Sequence, residues 1–305
     1  MNRSLPILIC TILFVSKGAG DAEGAGPRRG ATCLEADGNL VAVGGHGGVD
    51  LYRAGKRRAL GGKRNALALA LEKGRLLEAG GRAGERGDVF SWDWKEGKLH
   101  WSAEPHSDLA TSLAVKGGTV FSGSADRTIA ILDLESGARR GTLAGHAGAV
   151  LALAASPGGE HLVSAGADRT LRVWEIGTGS LLRTIQSHND AVTALSWSPD
   201  GGYLASGSAD RTVRIWQPAI GRLVRIVRGH DTAVLCLAWH SSGLYTGSAD
   251  GRIRRIDGGS DAILKTLEGH RDWVAALALR GDTLVSADWT GRVLLWKEEG
   301  PIEIR

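Results

Sequence analysis

The chain has 305 residues, 43% of them hydrophobic, with 45 glycines and 7 prolines; the length allows two domains, and this glycine-to-proline balance suits tight turns and excludes a disordered chain. Its formal charge of +4 includes Arg3 and Lys17 within residues 1–20, which hold no acid, leaving 35 basic against 33 acidic residues, a net +2, in the rest. So mild an excess gives no ground for nucleic-acid binding.

Taken from the N-terminus, residues 1–20 read as a secretory signal. Arg3 supplies the positive start, Leu5–Val15 the apolar stretch and Gly18-Ala19-Gly20 the small residues of a cleavage site. A run of about 11 residues falls well short of the roughly 20 a spanning helix needs. Cleavage predicts an exported chain, periplasmic or secreted, with no membrane span; an uncleaved signal would anchor it, and a mis-assigned start would leave it cytoplasmic. Residues 21–28 are small and polar, a short linker. Residues 29–305 are expected to form one body.

That body is periodic. Tyr52, Trp92, Leu132, Trp174, Trp216, Ile256 and Trp296 lie 40, 40, 42, 42, 40 and 40 residues apart, each closing a short β-type run. Aligning the chain on them gives seven repeats of four apolar runs, separated by Gly, Asp, Ser and Pro, so each repeat predicts a four-stranded meander. A meander cannot bury both faces alone, but seven around an axis can, which predicts an all-β, seven-bladed propeller of antiparallel blades. Outer strands are expected at Leu181–Ile185, Leu223–Val227 and Ile263–Leu267. The same offset from Trp296 lands on the last five residues, 301–305, which are therefore expected to complete blade seven. Cys33 and Cys236 fall in first strands of non-adjacent repeats, too far apart for a disulfide, so both are expected as buried thiols.

Three groups of residues recur at fixed places. Gly145-His146, Gly229-His230 and Gly269-His270 open repeats. Ser124-Ala-Asp-Arg-Thr128, Gly166-Ala-Asp-Arg-Thr170 and Ser208-Ala-Asp-Arg-Thr212 precede third strands. Trp174-Glu175, Trp216-Gln217 and a literal Trp92-Asp93 close them. On these motifs, over about 275 residues, the chain resembles the tryptophan–aspartate (WD) repeat family. The resemblance implies a hydrogen-bonded tetrad at His146, Ser164, Asp168 and Trp174 in blade four and at His188, Ser206, Asp210 and Trp216 in blade five. Ser, His and Asp together invite a catalytic-triad reading, but the set recurs blade after blade, so these residues are expected to be structural. Blades three and six keep His106, Ser122, Asp126 and His230, Thr246, Asp250, with Leu132 and Ile256 in the Trp slot. Blade seven keeps His270, Ser286 and Trp296, with Thr290 in the Asp slot. Blade two has Gly62 for the His and a longer Arg82–Gly87 loop, and blade one has His46 and Tyr52 in the Asp and Trp slots. Blades one and two are expected to be the least regular.

The resemblance also marks top-face slots three residues after the opening His and one before the turn Asp. These hold Leu109, Ala149, Ala191, Ala233 and Ala125, Ala167, Ala209, Ala249 in blades three to six, but Trp273 and Trp289 in blade seven. Arg29 falls in blade one, and Lys63, Arg64 and Asn65, with Arg82 and Arg86 nearby, in blade two. Exposed Trp and Arg dominate interface energetics, so a protein or peptide partner is expected there, an acidic one being the counterpart of the basic residues. The alternative is that Trp273 and Trp289 pack on each other and the basic side chains are solvated. Trp94 and Trp101, on or near the outer strand of blade two, are expected to be partly exposed.

No Cys/His spacing suits zinc, no phosphate loop is present, and no cofactor is expected. The inner strands Ala66–Leu71, Val150–Ala154 and Val274–Leu279 bring no polar groups to the axis. The sequence thus favours a non-enzymatic interaction scaffold. The rival is a propeller enzyme, a hydrolase, lyase or quinone-cofactor dehydrogenase, with its site at the central channel. Nothing in the repeats specifies an oligomeric state.

Overall fold

A computed structural model describes residues 30–304 except Asn39, Gly62, Lys63, Ser187, Glu298 and Glu299. The expected signal and linker, residues 1–28, lie outside this range, as do Arg29 and Lys63. Among the described residues, 28 strands form seven separate four-stranded antiparallel sheets, with one 3₁₀ turn at Pro218–Ile220. No helix among them is long and apolar enough to cross a membrane.

Each blade is continuous in sequence: residues 31–60, 66–106, 110–144, 150–186, 192–227, 234–268 and 274–304 make blades one to seven, with strands paired in chain order. The seven first strands pack side by side around the axis and close the ring between Ala31–Asp37 of blade one and Val274–Arg280 of blade seven. Each carries a register shift after its first residue. A bulge there adds twist and turns one residue out of the alternating pattern. The core lies between neighbouring blades: Ala114, Phe121 and Ile129 of blade three, for example, pack against Val150, Leu153, Leu162 and Trp174 of blade four. At about 25 cal/mol per Å² of apolar surface, this inter-blade burial is the main stabilising term of a ring whose single blades have no core of their own.

The outer strand of blade seven is Gly300–Ile304, paired with Val293–Lys297, so the chain's last strand completes its own blade as expected. Ile304 packs into the seam with blade one. Cys33 and Cys236 are buried free thiols; burial pushes Cys33 up to about 12 and raises Cys236 as well, which keeps both protonated.

Two expectations need correction. The Arg82–Gly87 segment is not a longer loop: strands Arg75–Arg82 and Arg86–Asp93 pair to Arg82↔Arg86, leaving a tight hairpin turn. Trp101 is buried instead of partly exposed, because its indole donates to Leu134 O of blade three at 2.9 Å and the ring lies over Gly137, leaving no room for a Cβ. Trp94 is half-buried, between Arg53 and Lys95.

Candidate functional site

Each blade turns from its second to its third strand at the rim of one face. In blade five, Asp210 N donates to Ser208 Oγ at 3.0 Å, and Thr212 donates to Asp210 Oδ1 through its N (3.0 Å) and Oγ1 (2.6 Å). These local bonds hold the carboxylate so that Oδ2 meets His188 Nδ1 at 2.9 Å and the Asn189 N–H at 3.0 Å. His188 Nε2 then lies 2.8 Å from Ser206 Oγ, which accepts the Trp216 indole N–H at 2.8 Å. With Nδ1–H donating to the carboxylate, Nε2 accepts the serine proton, so both ring nitrogens, the hydroxyl and the indole N–H of this tetrad are used. Blade four repeats this with His146–Asp168 at 2.9 Å, His146–Ser164 at 2.7 Å and Trp174–Ser164 at 2.8 Å. Burial alone would raise the Asp168 and Asp210 carboxyls, but the hydrogen bonds they accept hold both well below the usual range. Burial lowers His188, which stays neutral. Ser206 and Ser164 are fully buried, so neither hydroxyl meets solvent.

The other blades depart in informative ways. In blade seven Thr290 occupies the Asp slot in sequence, yet the network has its carboxylate: Asp288, two residues earlier, takes His270 Nδ1 at 3.0 Å. Ser286 meets His270 Nε2 at 2.5 Å and the Trp296 indole at 2.7 Å, while Thr290 Oγ1 donates to Asp288 Oδ1 at 2.6 Å. Blade seven therefore has a full tetrad with its acid displaced. Blade six shows the reverse. Asp250 sits in its slot but accepts from buried Arg254 at 2.7 Å, and His230 Nδ1 is left buried without a partner. Burial and then the Arg254 charge lower His230 to about 4. In blade two buried Glu78 stands in the serine slot and accepts the Trp92 indole at 3.0 Å. Burial raises Glu78, opposed by that bond and the Arg64 charge.

Around the axis, Thr32, Thr111 and Thr193 follow the first residue of the inner strands of blades one, three and five. Their hydroxyls donate across to Ala66 O, Val150 O and, at 2.5 Å, Val234 O of the next blade. They staple neighbouring blades.

The top face brings part of the expected patch together. The two marked slots of each blade face one another through a backbone bond: Ala125 N to Leu109 O, Ala167 N to Ala149 O, Ala209 N to Ala191 O, Ala249 N to Ala233 O and Trp289 N to Trp273 O, all 2.9–3.0 Å. Where blades four to six present paired alanines, blade seven presents two half-buried indoles, their rings 6.2 Å apart. His46 extends the row: its ring meets Trp289 edge-on at 5.8 Å, and its Nδ1 lies 3.3 Å from Asn65 Oδ1. Gly30 lies beneath with φ +86°, where a Cβ would stand 2.9 Å from the His46 ring. Next to Asn65, the Arg64 guanidinium lies 4.0 Å over Phe90, with Nη1 buried and without a hydrogen-bond partner. Arg82 and Arg86 stand apart on the hairpin of blade two; Arg86 is paired with Asp88 at 3.4 Å and Glu104 at 3.1 Å, and Arg82 with Glu85 at 3.5 Å. The row is thus Trp273, Trp289, His46, Asn65 and Arg64, crossing from blade seven through blade one to blade two. His46 is the link missing from the expected patch; its place in the Asp slot, beside the opening of blade two, was the available signal.

A family model described as "WD domain, G-beta repeat" matches residues 137–175, 179–217, 221–257 and 262–297. Each match joins the outer strand of one blade to three strands of the next, and all four end within two residues of the Trp slot of blades four to seven. No curated protein sequence matches the chain. Among solved structures, the chain is similar to the computationally designed Ika8 protein, with a TM-score of 0.73 and 29% identity over 92% of this chain and 87% of that one.

Proposed function

Since the chain belongs to the WD-repeat β-propeller family, we propose that it is a non-enzymatic scaffold whose protein or peptide partner docks on the top face across blades seven, one and two. Propellers of this family generally bind proteins, and the docking face is read from this chain's own residues. The observation that carries it is the row Trp273–Trp289–His46–Asn65–Arg64 on a rim where blades four to six show alanine. Half-buried indoles with fixed rings add contact area at little entropic cost, as hot-spot residues do. The basic Arg64 at the end of the row favours an acidic segment. The Ser-His-Asp sets support the structural side of the reading, since the serines of blades four, five and seven are spent on an indole and that of blade three, Ser122, is fully buried. The signal-like N-terminus supports export.

The test compares affinity capture from the native host on the wild-type chain and on Trp273→Ala/Trp289→Ala, with the mature N-terminus read by mass spectrometry. A partner bound by the wild type is expected to be lost on the double variant at unchanged fold, and the captured chain to begin near residue 21. An identical partner set on both baits would remove the docking site, and an intact Met1 would remove the export reading.

A further inference from the structure

The opposite face carries a cleft that the top-face reading does not use. It lies between the first hairpin turns of blades four and five, has a volume of about 240 Å³, and is closed on its outer side by Pro218 and Ala219. Ordinary small-molecule pockets run to about 300–1,000 Å³; this one is the size for one long side chain.

Its walls are fixed before anything enters. The two turns are built alike, Ser156-Pro-Gly-Gly-Glu160 and Ser198-Pro-Asp-Gly-Gly202, each closed by a bond from its fourth residue's N–H, Gly159 or Gly201, to the serine carbonyl at 2.9 Å. Trp197, from the inner strand of blade five, donates its indole N–H to Ala154 O of blade four at 3.1 Å, so its ring is pinned across the seam. Asp200 is held by Ser198 Oγ at 2.5 Å and Gly202 N at 3.0 Å, and those bonds keep its carboxyl below the usual range, hence ionised. Glu160 stands opposite on the turn of blade four. His161 lines the same space with its Nδ1 buried and without a hydrogen-bond partner. The charges at and around the cleft are the carboxylates of Glu160 and Asp200 against two cations already engaged by carbonyls, Arg183, whose Nε donates to Ala219 O at 3.0 Å at the outer edge, and Lys116, whose Nζ donates to Pro157 O at 2.6 Å on the turn of blade four.

We propose that this cleft receives the guanidinium of an arginine side chain presented by a partner segment. The lining offers an indole for a flat cation to pack on and two carboxylates. Those are the complements of a planar group with five donors, and they suit an ammonium less well. Ile220, 60% exposed and next to Ala219, gives the rest of the segment an apolar contact at the mouth. The site lies on the other face from the Trp273–Trp289 row, so it stands or falls independently, and the two together would let one ring hold an acidic and a basic partner at once.

The probe is Nα-acetyl-L-argininamide, titrated into the full chain labelled with ¹⁵N, with the Trp197 indole signal identified by its loss in Trp197→Phe. A saturable shift of that signal is expected, weakened roughly tenfold in Glu160→Gln/Asp200→Asn, which removes both exposed carboxylates. Nα-acetyl-L-lysinamide is expected to bind several-fold more weakly. Glu160→Gln alone, which leaves the Asp200 turn untouched, should show a partial loss and guards against a folding defect in the double variant. No saturable shift, a shift unchanged in both variants, or lysinamide binding as tightly as argininamide would each overturn the proposal.

Discussion

At the residue scale, what the tetrads require is a carboxylate oxygen beside His Nδ1, and the side chain that supplies it can come from more than one position. Blades four and five were legible because identity and spacing coincide there. Blade seven was not, since the alignment fixes where an aspartate's Cα should lie and Asp288 reaches the same nitrogen from two residues earlier. Blade six was misleading the other way: Asp250 has the right place and the wrong partner, because Arg254 outcompetes a neutral imidazole for it. The Asp-Arg-Thr turns add a local strain of their own. Arg127, Arg169 and Arg211 have φ of +73°, +65° and +68°, while blades six and seven put Gly251 and Gly291 in that position. Asp288 is fully buried and its loss strands His270, so Asp288→Ala is expected to cost about 3 kcal/mol, against about 1 kcal/mol for Thr290→Ala, which removes only a supporting hydroxyl. Urea denaturation measures both, and equal losses would show that the acid is not the displaced member of the tetrad.

At the element scale, the outer strands hold the seams by a device that is visible only in three dimensions. Arg58, Trp101, Arg183 and Arg225 occupy one register, opposite Leu51, Ser91, Val173 and Ile215 of their third strands. Each donates to a carbonyl in the last turn of the next blade: Arg58 to Lys95 O and Glu96 O at 2.8 and 2.6 Å, Trp101 to Leu134 O at 2.9 Å, Arg183 to Ala219 O at 3.0 Å and Arg225 to Gly258 O at 2.9 Å. The sequence does show the recurrence, since 101, 183 and 225 each lie nine residues after a Trp slot. Its meaning is hidden, and Trp101 was expected to be partly exposed, because the partner is a backbone atom about 35 residues away, which carries no residue-type signature. Strand positions follow from alternation of apolar residues; a cross-blade bond to a carbonyl does not. Arg183→Ala and Arg225→Ala are each expected to lower stability by about 1 kcal/mol, the worth of one net hydrogen bond. Their effects should add, because they belong to different seams. A neutral double variant in chemical denaturation would reduce the clips to incidental contacts.

For the whole molecule, the period alone was enough for blade number, strand order and the assignment of the last strand, because seven equal units leave little choice in how a ring is built. What it could not convey is how the ring shuts. Six seams are crossed by the continuing chain; the seventh, between blades seven and one, is held among the described residues by side-chain packing of Ala31, Leu34, Val41 and Val43 on Ala276, Ala278, Val285, Ala287 and Val293, with Ile304 at its edge. Among the described residues no strand is exchanged across it. The final strand therefore acts twice: it satisfies the edge of Val293–Lys297 and supplies Ile304 to the closing seam, with Glu303 bonded to Arg292 at 3.1 Å. Removing residues 300–305 should expose that edge and loosen the one seam with no chain across it. The expected loss of about 3 kcal/mol corresponds to a fall in Tm of about 5–10 °C for a domain of this size. Hydrogen exchange should then rise first in Ala31–Asp37 and Val274–Arg280, the inner strands on either side of the seam, while blades three to five keep their protection. If the truncated chain melts at the wild-type temperature, the outer strand of blade seven is dispensable. Uniform loss of protection around the ring would mean that closure is shared equally by all seven seams.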